Sequence, residues 1–255
     1  MPRTALFLVG VLLCFPNLFA SELGEIWSVR DLAANTSRHV AIRNSQGNLL
    51  KTVTVKQMNI IMDVFEDLQS ASEVDARIIL VSGNRPNAFA GPVDRENTVG
   101  VNFAMLDMIG NQEDEWAGLL GHELAHLKLN HSTKGLVRKI PLKVLQEYLR
   151  RKTAHQTTIE HADIAMKMFD TKFSRDQERA SDYLGTIWAV QGHYDPRGSV
   201  SLHRKLYSIN GNQGIPFLQS HPYSTERIKT LTGLADRLSK YPTTTIIHDA
   251  SLKKR

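Results

Sequence analysis

The chain of 255 residues has one cysteine, Cys14. A disulfide needs two, so no covalent framework holds this fold, and a mature form lacking the N-terminal stretch would have no thiol at all. Aromatic residues make up 7% of the sequence and charged residues 22%; apolar residues, at 42%, are enough for a globular core. There is no internal repeat and no low-complexity tract. Beyond the N-terminus no apolar run is long enough to suggest a membrane span. Helix-turn-helix, zinc-finger and aromatic-basic patterns are missing too, which argues against nucleic acid as a partner.

The N-terminus reads as an export signal. Arg3 is followed by an uncharged apolar run from Ala5 to Phe15, a break at Pro16-Asn17, and Leu18-Phe19-Ala20 before Ser21 as a cleavage point. The apolar stretch falls short of the roughly 20 residues of a spanning helix. Residues 1–20 are therefore expected to be a cleavable signal peptide, residues 21–55 an N-terminal segment without a clear pattern, 56–240 a catalytic domain and 241–255 a tail. Export from the cytoplasm is expected.

The net charge is +5. The excess is concentrated: Lys128, Lys134, Arg138, Lys139, Lys143, Arg150, Arg151 and Lys152 face only Glu147 in the same stretch. Helices with a solvated cationic face account for this; a sharper reading is peripheral contact with anionic lipid or an acidic envelope partner.

His122-Glu123-Leu124-Ala125-His126 carries the chemistry. Imidazoles four residues apart lie one turn apart on the same helix face, so both can reach one zinc ion. Glu123 projects beside that metal, where it can take a proton from bound water. The setting is helical. Glu113, Asp114 and Glu115 suit a first turn after Asn111 as N-cap, and Trp116, Leu119, Leu120, Leu124 and Leu127 continue an apolar stripe to about His131.

A catalytic zinc needs a third protein ligand. The short extension HExxHxxGxxH is excluded, because Leu129 stands at the glycine and Ser132 at the histidine. The remaining candidates are Glu160, His161, Asp163, Asp170, Asp176, Glu178, Asp182 and His193. Glu178 and Asp182 form the best pair, four apart on a helix predicted from Arg175 to Val190 with Ser174 as cap. Glu178 can bind the metal while Asp182 accepts the free N–H of a ligand histidine. The small Ala180 and Ser181 would permit close helix–helix approach. A solvated acidic face is the alternative.

His122–His126 followed by Glu178-Arg179-Ala180-Ser181-Asp182 resembles the gluzincin family that includes HtpX and the CAAX-prenyl (Ste-type) endopeptidases, peptidase family M forty-eight. Asn87-Ala88-Phe89-Ala90, Gly192-His193-Tyr194-Asp195-Pro196, and Ser220-His221-Pro222 with Arg227 are similar to further segments of that family. The absence of membrane spans points to its soluble periplasmic, BepA/LoiP-like branch. Two departures stand out: Gly91-Pro92-Val93-Asp94 replaces a glycine pair, and the basic stretch occupies the place of a membrane hairpin.

The resemblance implies an α+β, mostly helical, zincin-like fold with a small early β-sheet and an active-site helix. It implies one Zn2+ per chain on His122, His126 and Glu178, with Glu123 as general base and Asp182 behind the ligands. It places His221 near the metal, as an added ligand or an oxyanion partner. Arg227 either reaches the same centre or forms a salt bridge to a helix-face carboxylate; Tyr223 is a weaker oxyanion candidate. His131 is expected to pack or cap the helix end, and His39, His155, His161, His193, His203 and His248 to lie at the surface or pack. Val101 and Phe103 either edge the cleft, where an extended peptide could add as a strand, or sit in the core. The expected substrates are unfolded or misfolded proteins, in a setting of outer-membrane or envelope assembly machinery. A chaperone or assembly factor with a latent zinc site is the competing function.

Overall fold

The computed structural model describes residues 25–94, 96–131, 172–210, 214–222 and 225–240. The signal-peptide reading, most of the basic stretch, the helices expected over Val144–Tyr148 and Thr158–Met168, and Tyr223 lie outside them. So do Glu160, His161, Asp163 and Asp170 among the ligand candidates, and His155 and His248.

The chain begins with strand β1 (Ile26–Ser28) and a short helix α1 (Val29–Ala33) capped by the Ser28 hydroxyl. A hairpin follows, β2 (His39–Arg43) with β3 (Leu49–Thr54), as the alternation of Val40 and Ile42 against Leu50, Thr52 and Thr54 predicts. Its turn uses Gly47 at φ 84°, a conformation open to glycine without steric cost. Thr54 caps α2 (Val55–Ser72), whose buried Met58, Ile61, Met62, Phe65 and Leu68 repeat at helical spacing.

The principal sheet has the order β1-β4-β6-β5. Strand β4 (Arg77–Val81) pairs parallel with β6 (Glu96–Asn102), and β5 (Ala88–Val93) pairs antiparallel with β6. Two expectations need correction here. The segment from Gly83 to Pro92, expected as a loop, supplies β5; Gly91 and Pro92 disguise it, but proline is tolerated in a strand at a sheet's edge. Val101 lies in β6, paired on both sides, so it offers no edge to a peptide, and Phe103 opens the next helix, α3 (Phe103–Ile109).

Helix α4 (Glu113–Lys128) is the axis of the molecule, and every residue from Glu115 to His126 is buried. Its cap is Gln112 rather than Asn111, with no side-chain hydrogen bond. The first-turn acids serve tertiary contacts instead. Glu115 accepts from Ser201 and from Lys205, both at 2.6 Å, and Asp114 accepts from the Asp195 amide at 2.8 Å. Against α4 pack α2, then α5 (Arg175–Gln191) and α6 (Arg197–Asn210). Ser174 and Gln177 close a reciprocal capping box on α5. The chain ends its described part with α7 (Pro216–Ser220) and α8 (Thr225–Lys240).

The close approach of α4 and α5 is made by glycines, not by Ala180. A Cβ on Gly185 would lie 2.6 Å from backbone atoms of Gly121 and His122, and one on Gly121 would lie 2.7 Å from the Gly185 carbonyl. Backbone meets backbone at this crossing, one residue before the first histidine of the motif. Among the described residues no helix is long and apolar enough to cross a membrane.

Candidate metal centre

Three elements converge on one point. Helix α4 supplies His122, Glu123 and His126; α5 supplies Glu178 and Asp182 from its first two turns; the turn after α7 supplies His221. Nitrogen and oxygen donors of His122, His126, Glu178 and His221 lie within 4.8 Å of one another, and all four residues are buried. His122 Nε2 is 3.0 Å from His126 Nε2 and 3.2 Å from His221 Nδ1. The Glu178 carboxylate stands 3.2 Å from His221 Nδ1, 3.4 Å from His126 Nε2 and 3.6 Å from His122 Nε2. Of the other described ligand candidates, Asp176 pairs with Arg179 on the surface and His193 is exposed.

These distances fit a metal. A tetrahedral ion with bonds of about 2.0–2.1 Å separates neighbouring donors by roughly 3.3–3.4 Å. His122 donates its Nδ1 proton to Asp182 Oδ1 at 3.0 Å, which leaves the Nε2 lone pair facing the other donors. Ring nitrogens at 3.0–3.2 Å are joined by a shared proton or a shared metal ion. The charges agree as well. Glu123, Glu178 and Asp182 are three buried carboxylates and Arg227 is the one buried guanidinium beside them, so a dication brings the centre to neutrality.

Burial alone would lower the His122 pKa, but the hydrogen bond to Asp182 and the charges of Glu178 and Asp182 outweigh it and raise it. For His126 burial dominates, and its pKa falls well below the ordinary value. Burial would raise the Glu178 pKa; the interaction with His221 and hydrogen bonds from His126 and His221 override it and hold it well below the ordinary value. Glu123 goes the other way. Its carboxylate is fully buried, neither oxygen has a hydrogen-bond partner among the described residues, and desolvation raises its pKa.

His221 approaches as a fourth donor. Its ring lies between Phe217, with centroids 4.4 Å apart and planes at 21°, and Phe173 at 4.9 Å. Its second nitrogen, Nε2, is 3.5 Å from Glu123 Oε1.

Arg227 is placed behind the ligands. Its Nε donates to Asp182 Oδ2 at 2.8 Å and Nη2 to Asp182 Oδ1 at 2.7 Å; Nη1 donates to the Pro222 carbonyl at 3.1 Å and stands 2.6 Å from Glu178 Oε2. Arg227 thus forms the ion pair to helix-face carboxylates, and one of these, Glu178, is itself a donor of the centre.

Two histidines expected only to pack or lie at the surface belong to this cluster. Helix α4 stops at Lys128, Asn130 takes a left-handed conformation at φ 54°, and the chain folds back so that His131 Nδ1 lies 3.2 Å from His126 Nδ1 and 3.3 Å from Ser181 Oγ. Asn130 was the available signal, since asparagine accepts that backbone at a helix end. His203 on α6 is buried at 3.3 Å from Arg227 Nη2 and 3.5 Å from Asp182 Oδ1. Its signal was a buried stripe, Ser199, Leu202, His203 and Leu206, in which a polar ring requires a partner. His39 is exposed, as expected.

The profile of Peptidase family M48 matches residues 54–235. The chain belongs to this family. Curated relatives agree. The mitochondrial metalloendopeptidase OMA1 of Arabidopsis thaliana is 26% identical over 154 residues, covering 60% of this chain and 30% of that protein. The metalloprotease YcaL of Escherichia coli (strain K12) is 28% identical over 132 residues, 51% of each chain. The OMA1 of Schizosaccharomyces pombe (strain 972 / ATCC 24843) is 27% identical over 175 residues, 63% of this chain and 50% of that one. The alignments thus span between about a third and a half of these relatives. Family membership and the α+β fold with its motif helix are what the resemblance of His122–His126 and Glu178–Asp182 implied.

Proposed function

We propose that this chain is a zinc-dependent endopeptidase that hydrolyses peptide bonds in unfolded or misfolded envelope proteins. The observation that carries the proposal is Glu123, a buried carboxylate with both oxygens unsatisfied among the described residues, beside a closed set of nitrogen and oxygen donors. Such a group is costly to maintain unless a cation and a reacting molecule complete it. His122, His126 and Glu178 would hold the metal, whose spacing and N/O donor set suit zinc. When bound, zinc supplies a Lewis acid that polarises a carbonyl and acidifies water.

Glu123 takes the proton at its carboxylate and passes it to the leaving amine; a pKa raised by burial suits both halves of that transfer. Asp182 fixes the His122 tautomer, and Arg227 holds Asp182 and Glu178 in place.

The test is metal analysis of the purified protein together with cleavage of an unfolded protein by the wild type and Glu123→Gln. One equivalent of zinc, and cleavage that falls at least about a hundredfold in the variant, is expected. Cleavage that survives the substitution would sink the proposal.

A second reading rests on His221. With its Nδ1 at donor distance, four protein groups close the centre, which suits a resting or latent state in a chaperone or assembly factor. His221→Ala raises cleavage if that state is inhibitory and leaves it unchanged or lower if His221 assists the reaction. Export to the periplasm remains our proposal from residues 1–20, and cell fractionation tests it. Membrane contact by the basic stretch is tested by co-sedimentation with anionic vesicles; of its cations, Lys128 is already engaged, donating to the Ser72 carbonyl at 2.8 Å.

A further inference from the structure

Arg227 meets two carboxylates of the centre from behind, and its Nη2 edge also faces one uncharged side chain, His203. We propose that His203 is a positioning residue: its Nε2 accepts a hydrogen bond from Arg227 Nη2, fixes the plane of the guanidinium, and through Asp182 and Glu178 sets the orientation of the donors that bind metal. The inference rests on the metal-binding reading of the centre and adds to it a residue three hydrogen bonds removed from His122.

Four observations support the assignment. Among the described residues His203 makes no hydrogen bond or ion pair to a metal donor of the centre, yet it is buried where α6 packs against α4 and α8. The Arg227 contact, at 3.3 Å, is shorter than the 3.5 Å to Asp182 Oδ1, and that oxygen already accepts from Arg227 and His122. The lone pair of Nε2 is thus the group that faces the guanidinium. Desolvation, and then the positive charge of Arg227, lower the His203 pKa to about 4, which keeps the ring neutral and able to accept. Finally, the space shared by His203, His122, Asp182 and Ser199 is at the lower limit for one water molecule, so the ring has little room to turn away. Without an acceptor at this position, the Nη2 edge keeps its bond to Asp182 and loses the one that sets it against α6. The hydrogen-bonded plane that defines the carboxylate positions then loosens.

The experiment compares the wild type with His203→Leu, which has similar bulk and no acceptor, and His203→Gln, whose amide oxygen can replace Nε2. Zinc affinity is measured by competition with a chelator, the cobalt-substituted proteins are compared by visible absorption, and thermal unfolding of the metal-free forms reports on folding. His203→Leu is expected to weaken zinc binding about tenfold, the low end for an outer partner of a metal site, and to alter the cobalt bands. His203→Gln should recover affinity and bands to within about threefold of wild type on the same scale. Equal zinc affinity in wild type and His203→Leu would overturn the inference. So would equal losses in both variants, which would indicate packing rather than hydrogen bonding. Failure of the wild type itself to bind zinc would overturn the metal reading first, and this inference with it.

Discussion

The two imidazoles of the motif helix are supported in opposite ways. His122 leans on charge: its Nδ1 meets Asp182, which lies in a bidentate grip from Arg227, with His203 against the same guanidinium. His126 leans on rings and a hydroxyl: its Nδ1 meets His131, with the Ser181 hydroxyl beside that ring and the Phe173 ring at 3.9 Å, tilted by 40°. The charged side draws on α5, α6 and α8, far apart in sequence. The side supporting His126 is built from the residues that end α4, from α5 and from Phe173. One ligand is thus oriented by the assembled tertiary structure and the other largely by local chain reversal, so damage to each side should read out differently.

The sharpest break is Arg227→Met. It leaves Asp182 and Glu178 buried without their cation, and removing one partner of a buried pair costs about 3–5 kcal/mol. Denaturant unfolding of the metal-free protein should show that loss, and saturating zinc should restore more stability to the variant than to the wild type, because the metal supplies the missing positive charge.

A pH dependence follows from His203. Its folded pKa of about 4 lies below the ordinary histidine value of 6.5. Between these values the unfolded chain binds a proton that the folded one does not. Stability is therefore full above pH 6.5 and falls as pH drops towards 4, by on the order of 3 kcal/mol. Metal-free His203→Leu should lose correspondingly less over that range. Parallel curves for variant and wild type would remove His203 from the charged side of the comparison.

Ligand support itself comes next. Asp182→Asn should weaken zinc binding by about 10–100-fold, and His131→Leu by about tenfold at most, both measured by chelator competition. A larger loss from His131 would invert the comparison. The smallest effect is expected from Ser181→Ala: within about 1 kcal/mol in unfolding, with zinc affinity close to wild type.

The motif and its helix were legible because both depend on local spacing: His122 and His126 one turn apart, a buried stripe, acids in the first turn. Glu178 and Asp182 were legible for the same reason, four apart on a helix announced by Ser174. What failed to show depends on distant chain meeting distant chain. Gly91 and Pro92 hid β5 because propensity does not know that a strand lies at the rim of a sheet. His203 looked like a packing residue until α8 brought Arg227 to it. Ala180 and Ser181 drew attention as small residues, while the approach of the helices depends on Gly121 and Gly185, whose partnership exists only once α4 and α5 cross.

That crossing has a bearing on how the molecule tolerates change. With no side chain between the two backbones, the separation of α4 and α5 is set by a hard mechanical stop, and the reach of Glu178 to the histidines is calibrated against it. A methyl group added at Gly185 would act as a shim, moving one ligand-bearing helix away from the other without touching any ligand. The tolerance of the whole centre is thereby fixed at a point that carries no functional group.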